Sequence, residues 1–424
     1  MAFKKLKRFI KKLLFSYAKK HVGFRKILRA VLFKKREIYY KYRQKHQQMD
    51  EKAIVFNSFS GRYYSDSPKA IYEYMLGDER FSDYRFIWAF KKPSNYLFLL
   101  DNPNTSLVKV NTKSYEQQLI NSKFWIMNYR VPDHIYPTDD QVYIQLWHGT
   151  PLKRLGYDIE SSDNAMNSKN EIREKYRIDA EKFKYILSPS AFASEKFISA
   201  WNLKAVSKES AVLEDGYPRN DFLVNCTEAQ LKSIRARLEI ADIDKKVILY
   251  APTWRDNQHT SGIGYTYQVS VDFDRLRDAL KEDYIILFRA HYLVANNFDF
   301  EKYEGFVYNV SAYSDINDLY LASDMLITDY SSVFFDYAIL EKPIIYYMYD
   351  LEQYAGEIRG FYLGLDELIG PIVQTEEELI RAIRETSHFS CGEKHRAFNE
   401  RFNPLTDGKA SARVAEHVVL NHQR

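Results

Sequence analysis

The chain reads as an α/β protein of two domains, each a parallel sheet covered by helices on both faces, behind a basic amphipathic helical segment. Three observations carry that reading. From Ala53 onward, short apolar runs alternate with helix-length periodic stretches, the pattern of parallel strands buried on both faces. At 424 residues the chain is longer than one hydrophobic core organises. The charge is also uneven. Residues 1–48 hold 17 Lys or Arg against the single acid Glu37, a balance of +16 in a chain of net +4, so the remainder carries −12.

The basic segment comes first. Phe3, Leu6, Ile10, Leu13, Leu14 and Tyr17 fall on one helical face, with Lys4, Lys5, Arg8, Lys11, Lys12 and Lys19 around the rest. Phe24, Ile27, Leu28, Val31 and Leu32 repeat the pattern among Arg25, Lys26 and Arg29. Such helices lie in a bilayer interface, apolar side down and bases toward anionic headgroups. A nucleic-acid arm or a packing helix would also be basic, but reading phosphates needs no interleaved large apolar residues. Residues 1–49 are therefore expected on an anionic membrane surface, with no nucleic-acid partner. No apolar run approaches the ~18 residues of a membrane span, and no signal-peptide core is present. Cys226 and Cys391 lie far apart without metal-type spacing, which fits a reducing, cytoplasmic compartment.

The strands follow in order. Residues 53–57, 85–90, 123–128, 142–147, 184–188 and 211–216 read as the first series. Residues 247–252, 284–291, 306–309, 325–330 and 344–349 read as the second. A boundary near Asp221–Thr227 divides residues 50–221 from 222–400, and a C-terminal helix over 401–424 is expected to cross back onto the first domain.

Ligands of open α/β sheets bind at the carboxyl ends of the strands, and polar turns sit at several such ends. Met325–Ile327 leads into Thr328-Asp329-Tyr330-Ser331-Ser332 and then an apolar periodic run. That is strand, turn and helix start, where unpaired N–H groups and hydroxyls suit a phosphate. Ser331 could equally be a plain N-cap; Asp336, one turn in, could accept from a sugar hydroxyl. Trp147-His148-Gly149-Thr150-Pro151-Leu152 sets His148 at the mouth of the first sheet, with Gly149 for the turn, Thr150 to cap and Pro151 at the first helical position. A histidine there can take a proton near neutral pH, although a lone His is more often structural. Pro252 breaks a strand and exposes Thr253 and Arg255. Arg289 and His291 alternate along an extended chain, two positive groups on one side that suit a diphosphate; a surface Arg beside a packed His is the plainer reading. Arg219 sits in the Gly216–Asp221 turn. Asp242-Ile-Asp244 and Asp272-Phe-Asp274 match a metal-binding Asp-x-Asp but read as ends of surface helices. No His-Glu-x-x-His, P-loop or Gly-x-Ser-x-Gly elbow occurs.

Taken together, WHGTPLKRLG (147–156), GYPRND (216–221), APTWR (251–255), RAH (289–291), TDYSSVFFDYAILEKP (328–343), RGFY (359–362) and DGKAS (407–411) resemble the CDP-glycerol glycerophosphotransferase family of teichoic acid primases and polymerases. NSFSGRYYSDSPKAIYEYM (57–75) is similar to the family's amino-terminal start. The resemblance runs from about residue 53 to the end. It implies two Rossmann-like domains of the GT-B type on the cytoplasmic membrane face. The implied activity is transfer of glycerol phosphate from CDP-glycerol or a related CDP-polyol to an undecaprenyl-linked acceptor, with release of CMP. It implies donor contacts at His148, Gly149, Thr150, Pro151, Leu152, Arg219, Pro252, Thr253, Arg289, Ala290, His291, Ser331, Ser332 and Asp336. His148 would be the base and His291 a phosphate-stabilising partner. Tyr292 stands where the family usually has Pro, Leu363 and Gly364 precede Asp366, and the Pro-Gly-Pro-like turn is Ile369-Gly370-Pro371. No cofactor is expected, though Asp329 or Asp336 could hold Mg²⁺. The alternatives are a CDP-ribitol-dependent ribitolphosphotransferase, a nucleotide-sugar glycosyltransferase of the same fold and a catalytically silent membrane scaffold.

Overall fold

The computed structural model describes residues 17, 21–160, 163–164, 167–253, 259–260, 264–265, 271–290, 298–352 and 360–422. The first sheet is built from β1 (Asp50–Asn57), β2 (Arg85–Phe90), β3 (Thr105–Lys109), β4 (Ser122–Met127), β5 (Val142–Gln145), β6 (Tyr185–Ser188) and β7 (Val212–Glu214), in the order β3-β2-β1-β4-β5-β6-β7. The second comprises β8 (Lys246–Ala251), β9 (Tyr284–Phe288), β10 (Val307–Asn309), β11 (Met325–Thr328), β12 (Ile344–Tyr347) and β13 (Ile372–Val373), in the order β10-β9-β8-β11-β12-β13. Every pairing within both sheets is parallel.

Alternation along each central strand explains the long apolar runs. In β1, Ala53 and Val55 enter one core with Trp125 and Met127, while Ile54 and Phe56 enter the other with Tyr72 and Trp88. In β8, Val247 and Leu249 face one side and Ile248 and Tyr250 the other. Covered on both faces, such strands carry no polar alternation. Each apolar run singled out in the sequence contributes a strand. The edge strand β3 was not anticipated, because only Thr105 and Val108 of it are buried.

Of the basic segment, residues 1–16 and 18–20, with Phe3, Leu6, Ile10, Leu13 and Leu14, lie outside the described residues. Residues 22–45 form one helix, α1 (Val22–Lys45). Its C-terminal part is fastened to the first sheet. Tyr40 is fully buried, and Arg43 donates to Glu116 (2.9 Å) and Gln117 (2.6 Å). Ile27, Val31 and Ile38 of the same helix are exposed. Three further helices bear on the site: α2 (Asp66–Leu76), α3 (Lys113–Asn121) and α4 (Lys169–Lys182). Near the C-terminus, Phe398 and Phe402 pack in the second sheet's core, and Val414, Ala415, Val418 and Val419 in the first sheet's. Among the described residues no helix is long and apolar enough to cross a membrane.

Candidate active site

Both sheets reverse their strand order once, between β1 and β4 in the first and between β8 and β11 in the second. Crevices at such switch points are where open α/β sheets take ligands. Here the two crevices meet. A cavity of about 230 Å³ is lined from the first unit by His148, Gly149 and Thr150, and from the second by Thr253, Ser331 and Ser332.

The first unit supplies a ring held from several sides. Strand β5 ends at Gln145, and Trp147 then takes a left-handed conformation (φ 52°) that turns His148 toward the crevice. His148 Nδ1 lies 3.1 Å from the backbone oxygen of Asn128, just past β4. A carbonyl only accepts, so Nδ1 carries the hydrogen and Nε2 keeps its lone pair. The ring stacks on Trp147 (4.2 Å between centroids) and tilts against Phe59 (5.9 Å). Asn128 is itself pinned, since its Oδ1 accepts from the Phe59 backbone N–H at 2.8 Å. Burial pushes the imidazole below its ordinary value; the Asn128 carbonyl and the Asp66 carboxylate oppose this, and the Arg219 charge reinforces it.

The second unit supplies hydroxyls. Asp329 Oδ1 accepts from the backbone N–H groups of Thr253 (2.8 Å) and Tyr330 (2.6 Å) and from the Thr253 hydroxyl, tying the ends of β8 and β11 together. Ser331 and Ser332 are half-buried and face the cavity. Helix α5 (Val333–Tyr337) is shorter than the apolar run implied, five residues followed by a 3₁₀ turn at Ala338–Leu340. Glu341 at φ 53° ends it, and the Ala338 carbonyl accepts from His395 (2.7 Å) and Asn399 (2.9 Å) instead of a further helical turn. With so short a dipole, the serine hydroxyls count for more than the helix end.

Other sites differ from expectation in detail. No helix begins at Pro151. Residues 151–155 run extended, the Leu152 carbonyl accepts from Tyr362 N–H (2.8 Å), and Arg154 N–H donates to Gly360 (3.0 Å). The WHGTPLKRLG and RGFY stretches are thus backbone partners across the two units, and Thr150 caps nothing; its hydroxyl is buried without a hydrogen bond. At Gly149 the units approach closely: a Cβ there would sit 3.1 Å from Ser332 Oγ.

Arg219 and Asp336 lie beside the cavity in one buried cluster. Arg219 donates to both carboxylate oxygens of Asp336 (3.1 and 2.9 Å) and to Asp66 (3.2 Å), and Asn220 adds a bond to Asp336 (3.1 Å). Burial would lower the guanidinium pKa, but the two carboxylates outweigh it and raise it. Arg289 donates to the Tyr313 backbone oxygen (2.7 Å), and the Ala290 N–H donates to Ser311 (3.1 Å). Pro252 is half-buried at the end of β8. His291, with Arg255 and Tyr292, lies outside the described residues. Asp272 caps a surface helix by accepting from the Asp274 and Arg275 N–H groups. Among the described residues, no cluster of three His, Cys, Asp or Glu could hold a metal.

Two residues were not singled out from the sequence. Asp66, first residue of α2, joins the Arg219 cluster and acts electrostatically on His148. Asn128 orients that ring. Asn128 stands just past an apolar strand, the same signal that exposed His148; Asp66, at the start of α2 and well beyond the end of β1, carried no such signal.

The two parallel sheets and the cleft between them are those of an α/β group-transfer enzyme. The chain belongs to the CDP-Glycerol:Poly(glycerophosphate) glycerophosphotransferase family, whose profile matches residues 38–420. It is 40% identical over 371 residues to the teichoic acid glycerol-phosphate transferase of Staphylococcus aureus, covering 86% of this chain and 92% of that one. It is 39% identical over 384 residues to the teichoic acid poly(glycerol phosphate) polymerase of Staphylococcus epidermidis, covering 89% of this chain but only 52% of that protein, so it spans about half the polymerase's length. The structure of the wall teichoic acid polymerase TagF superposes with a TM-score of 0.81 at 37% identity, over 95% of this chain and 98% of that one.

Proposed function

We propose that the chain transfers glycerol phosphate from CDP-glycerol to a lipid-linked teichoic-acid-type acceptor and releases CMP. The observation that carries this reading is the shared cavity, with His148 on one wall and Ser331, Ser332 and Thr253 on the other. The acceptor hydroxyl oxygen attacks the glycerol-bearing phosphorus while its proton passes to His148 Nε2. The bond from that phosphorus to the bridging oxygen breaks, and CMP departs in line. The reaction demands positioning and neutralised phosphate charge more than covalent chemistry. Ser331 and Ser332 donate to the diphosphate, and His291 and Arg289 are assigned to the same task by family resemblance. The Arg219–Asp336 pair holds the two walls in register.

In this reading the architecture is of the GT-B type, residues 50–221 receive the acceptor and residues 222–400 the nucleotide. Residues 1–49 rest on the cytoplasmic membrane face; the exposed apolar residues of α1 beside its Lys and Arg support this. For glycerol as the transferred group, support comes from the glycerol-phosphate relatives that match along most of this chain. One solved form of TagF is a histidine-to-asparagine variant soaked with CDPG.

The test is mass spectrometry of lipid-linked product, with CMP release followed in parallel, using CDP-glycerol, CDP-ribitol and UDP-sugars in turn. Glycerol phosphate addition with CDP-glycerol alone is expected. Sugar transfer from a UDP donor, or no transfer from any donor, would overturn the proposal.

A further inference from the structure

A second cavity, of about 310 Å³, opens at the carboxyl edge of the first sheet on the other side of the catalytic histidine. Asn57 at the end of β1, Ser60 just beyond it, Asn111 after β3, Tyr129 and Arg130 after β4, and Lys175 of α4 line it, with Asp133 at its rim. The linings of the two cavities are joined through neighbouring residues. Asn128, whose carbonyl holds the His148 ring, is followed directly by Tyr129 and Arg130. Phe59, which packs on that ring, is followed by Ser60.

Three features mark this cavity as built for an anion. Its lining presents two cations, Arg130 and Lys175, and one carboxylate, Asp133, with Asp179 buried behind Arg130. The Arg130 guanidinium is only loosely engaged: Nη2 is 3.5 Å from Asp133, Nε is 3.7 Å from Asp179, and Nε is buried without a hydrogen bond. Such a fork is poised for the planar, two-point bonding that phosphate oxygens offer. Finally, Ser60 (φ 56°) and Asn111 (φ 61°) keep left-handed conformations at its rim, as at sites where strain serves a ligand.

Location selects the ligand. The segment that starts at Tyr129 continues to His134 and Tyr136, which meet α1 through Phe33, Tyr40 and Gln44. The cavity thus lies between the ring proposed as base and the helix proposed to rest on the membrane, on the side from which a lipid-anchored acceptor would enter. We infer that Arg130 and Lys175 form a subsite for a phosphate of the acceptor, which sets the attacking hydroxyl beside His148. The inference rests on the glycerophosphotransferase reading. The phosphate could be that of a terminal glycerol phosphate or that of the lipid carrier's diphosphate, and the experiment separates the two.

Arg130→Gln and Lys175→Ala are compared with the unaltered chain by steady-state CMP release. The assay uses two synthetic polyprenyl-diphosphate acceptors, one ending in glycerol phosphate and one in a bare sugar hydroxyl. Charge-assisted bonds of this kind are worth ~1.5–3 kcal/mol, so acceptor KM should rise roughly ten- to a hundredfold at ~1.4 kcal/mol per decade. CDP-glycerol KM should stay within about twofold. A rise confined to the glycerol-phosphate acceptor assigns the subsite to that terminus, and a rise with both assigns it to the diphosphate. Arg130→Lys should recover part of the loss. Arg130 also faces Asp133 and Asp179, so the folding of both variants is checked by thermal melting before KM is compared. Unchanged acceptor KM in folded Lys175→Ala and Arg130→Gln, while the unaltered chain releases CMP, would overturn the subsite alone. An unaltered chain that releases no CMP from CDP-glycerol would instead overturn the reading beneath it.

Discussion

The carboxyl edges of the two sheets are built on opposite plans. Among the described residues, five of the nine non-glycine residues with positive φ lie at the first sheet's carboxyl edge: Phe59, Ser60, Asn111 and Trp147 in loops and Asp66 at the start of α2. Among the described residues, the second sheet's carboxyl edge has none. It joins its strands by ordinary hydrogen bonds from Thr253 and Tyr330 to Asp329 and presents two serines. Backbone strain is retained where a group must be over-determined. A base has to meet one proton at hydrogen-bond distance and along one direction. A phosphate cradle shares its load over several neutral donors, and each can shift a little. The first edge is therefore read as the chemical wall and the second as the binding wall.

Substitution of the ring should give the largest effect. General-base help is worth about 10²–10⁴ in rate, or roughly 3–5.5 kcal/mol of barrier. His148→Ala is expected to cut kcat by that factor while donor affinity, measured by calorimetry, changes only a few-fold. If turnover stayed near normal, or if donor binding fell as far as turnover, the two walls would not divide the work in this way.

The binding wall should respond in the opposite sense and less strongly. Ser331→Ala with Ser332→Ala removes two neutral donors. Each is worth ~0.5–1.5 kcal/mol, more toward a charged acceptor, so donor affinity is expected to fall about tenfold or somewhat more. Turnover at saturating donor should fall less than affinity. Calorimetry showing unchanged donor affinity in the folded double variant would remove the serines from the phosphate site.

The two walls also differed in how much of them the sequence disclosed. The strands were legible because both faces of each sheet are covered, leaving near-continuous apolar runs such as Ile54–Phe56 and Val247–Leu249. His148, Ser331 and Ser332 were legible because polar residues directly after such runs have few places to go but the sheet's mouth. Partnership was not legible. Arg219 and Asp336 stand 117 positions apart and read separately as ligand contacts; the fold closes them on each other, with Asp66 as a third member. Pro151 looked like a helix start because its local signal is one, but the Gly360–Tyr362 backbone holds that segment extended. Asn128 acts through its main-chain oxygen, which its residue type does not advertise.

The finest test concerns the field at the ring. An unperturbed histidine is half protonated near pH ~6.5. Burial lowers His148 below that value. With the neutral ring as the proposed base, the acid limb of the rate should lie below pH ~6.5, with more than half the plateau rate kept at that pH. The folded chain then holds fewer protons on this group than the unfolded chain just below pH ~6.5, so its contribution to stability also declines as pH falls through that region. Asp66 is the carboxylate that pulls the ring's pKa upward, and Arg219 is the cation that pushes it down. Asp66→Asn keeps a hydrogen-bond acceptor for Arg219 but removes the negative charge, so only the Asn128 carbonyl is left to oppose burial and the Arg219 charge. The acid limb of CMP release, recorded from pH 5 to 8, should move to lower pH in Asp66→Asn, leaving the plateau nearly unchanged. A limb that moves to higher pH, or one that stays in place while the protein remains folded, would mean that Asp66 belongs to the clamp between the two units and has no hold on the proton.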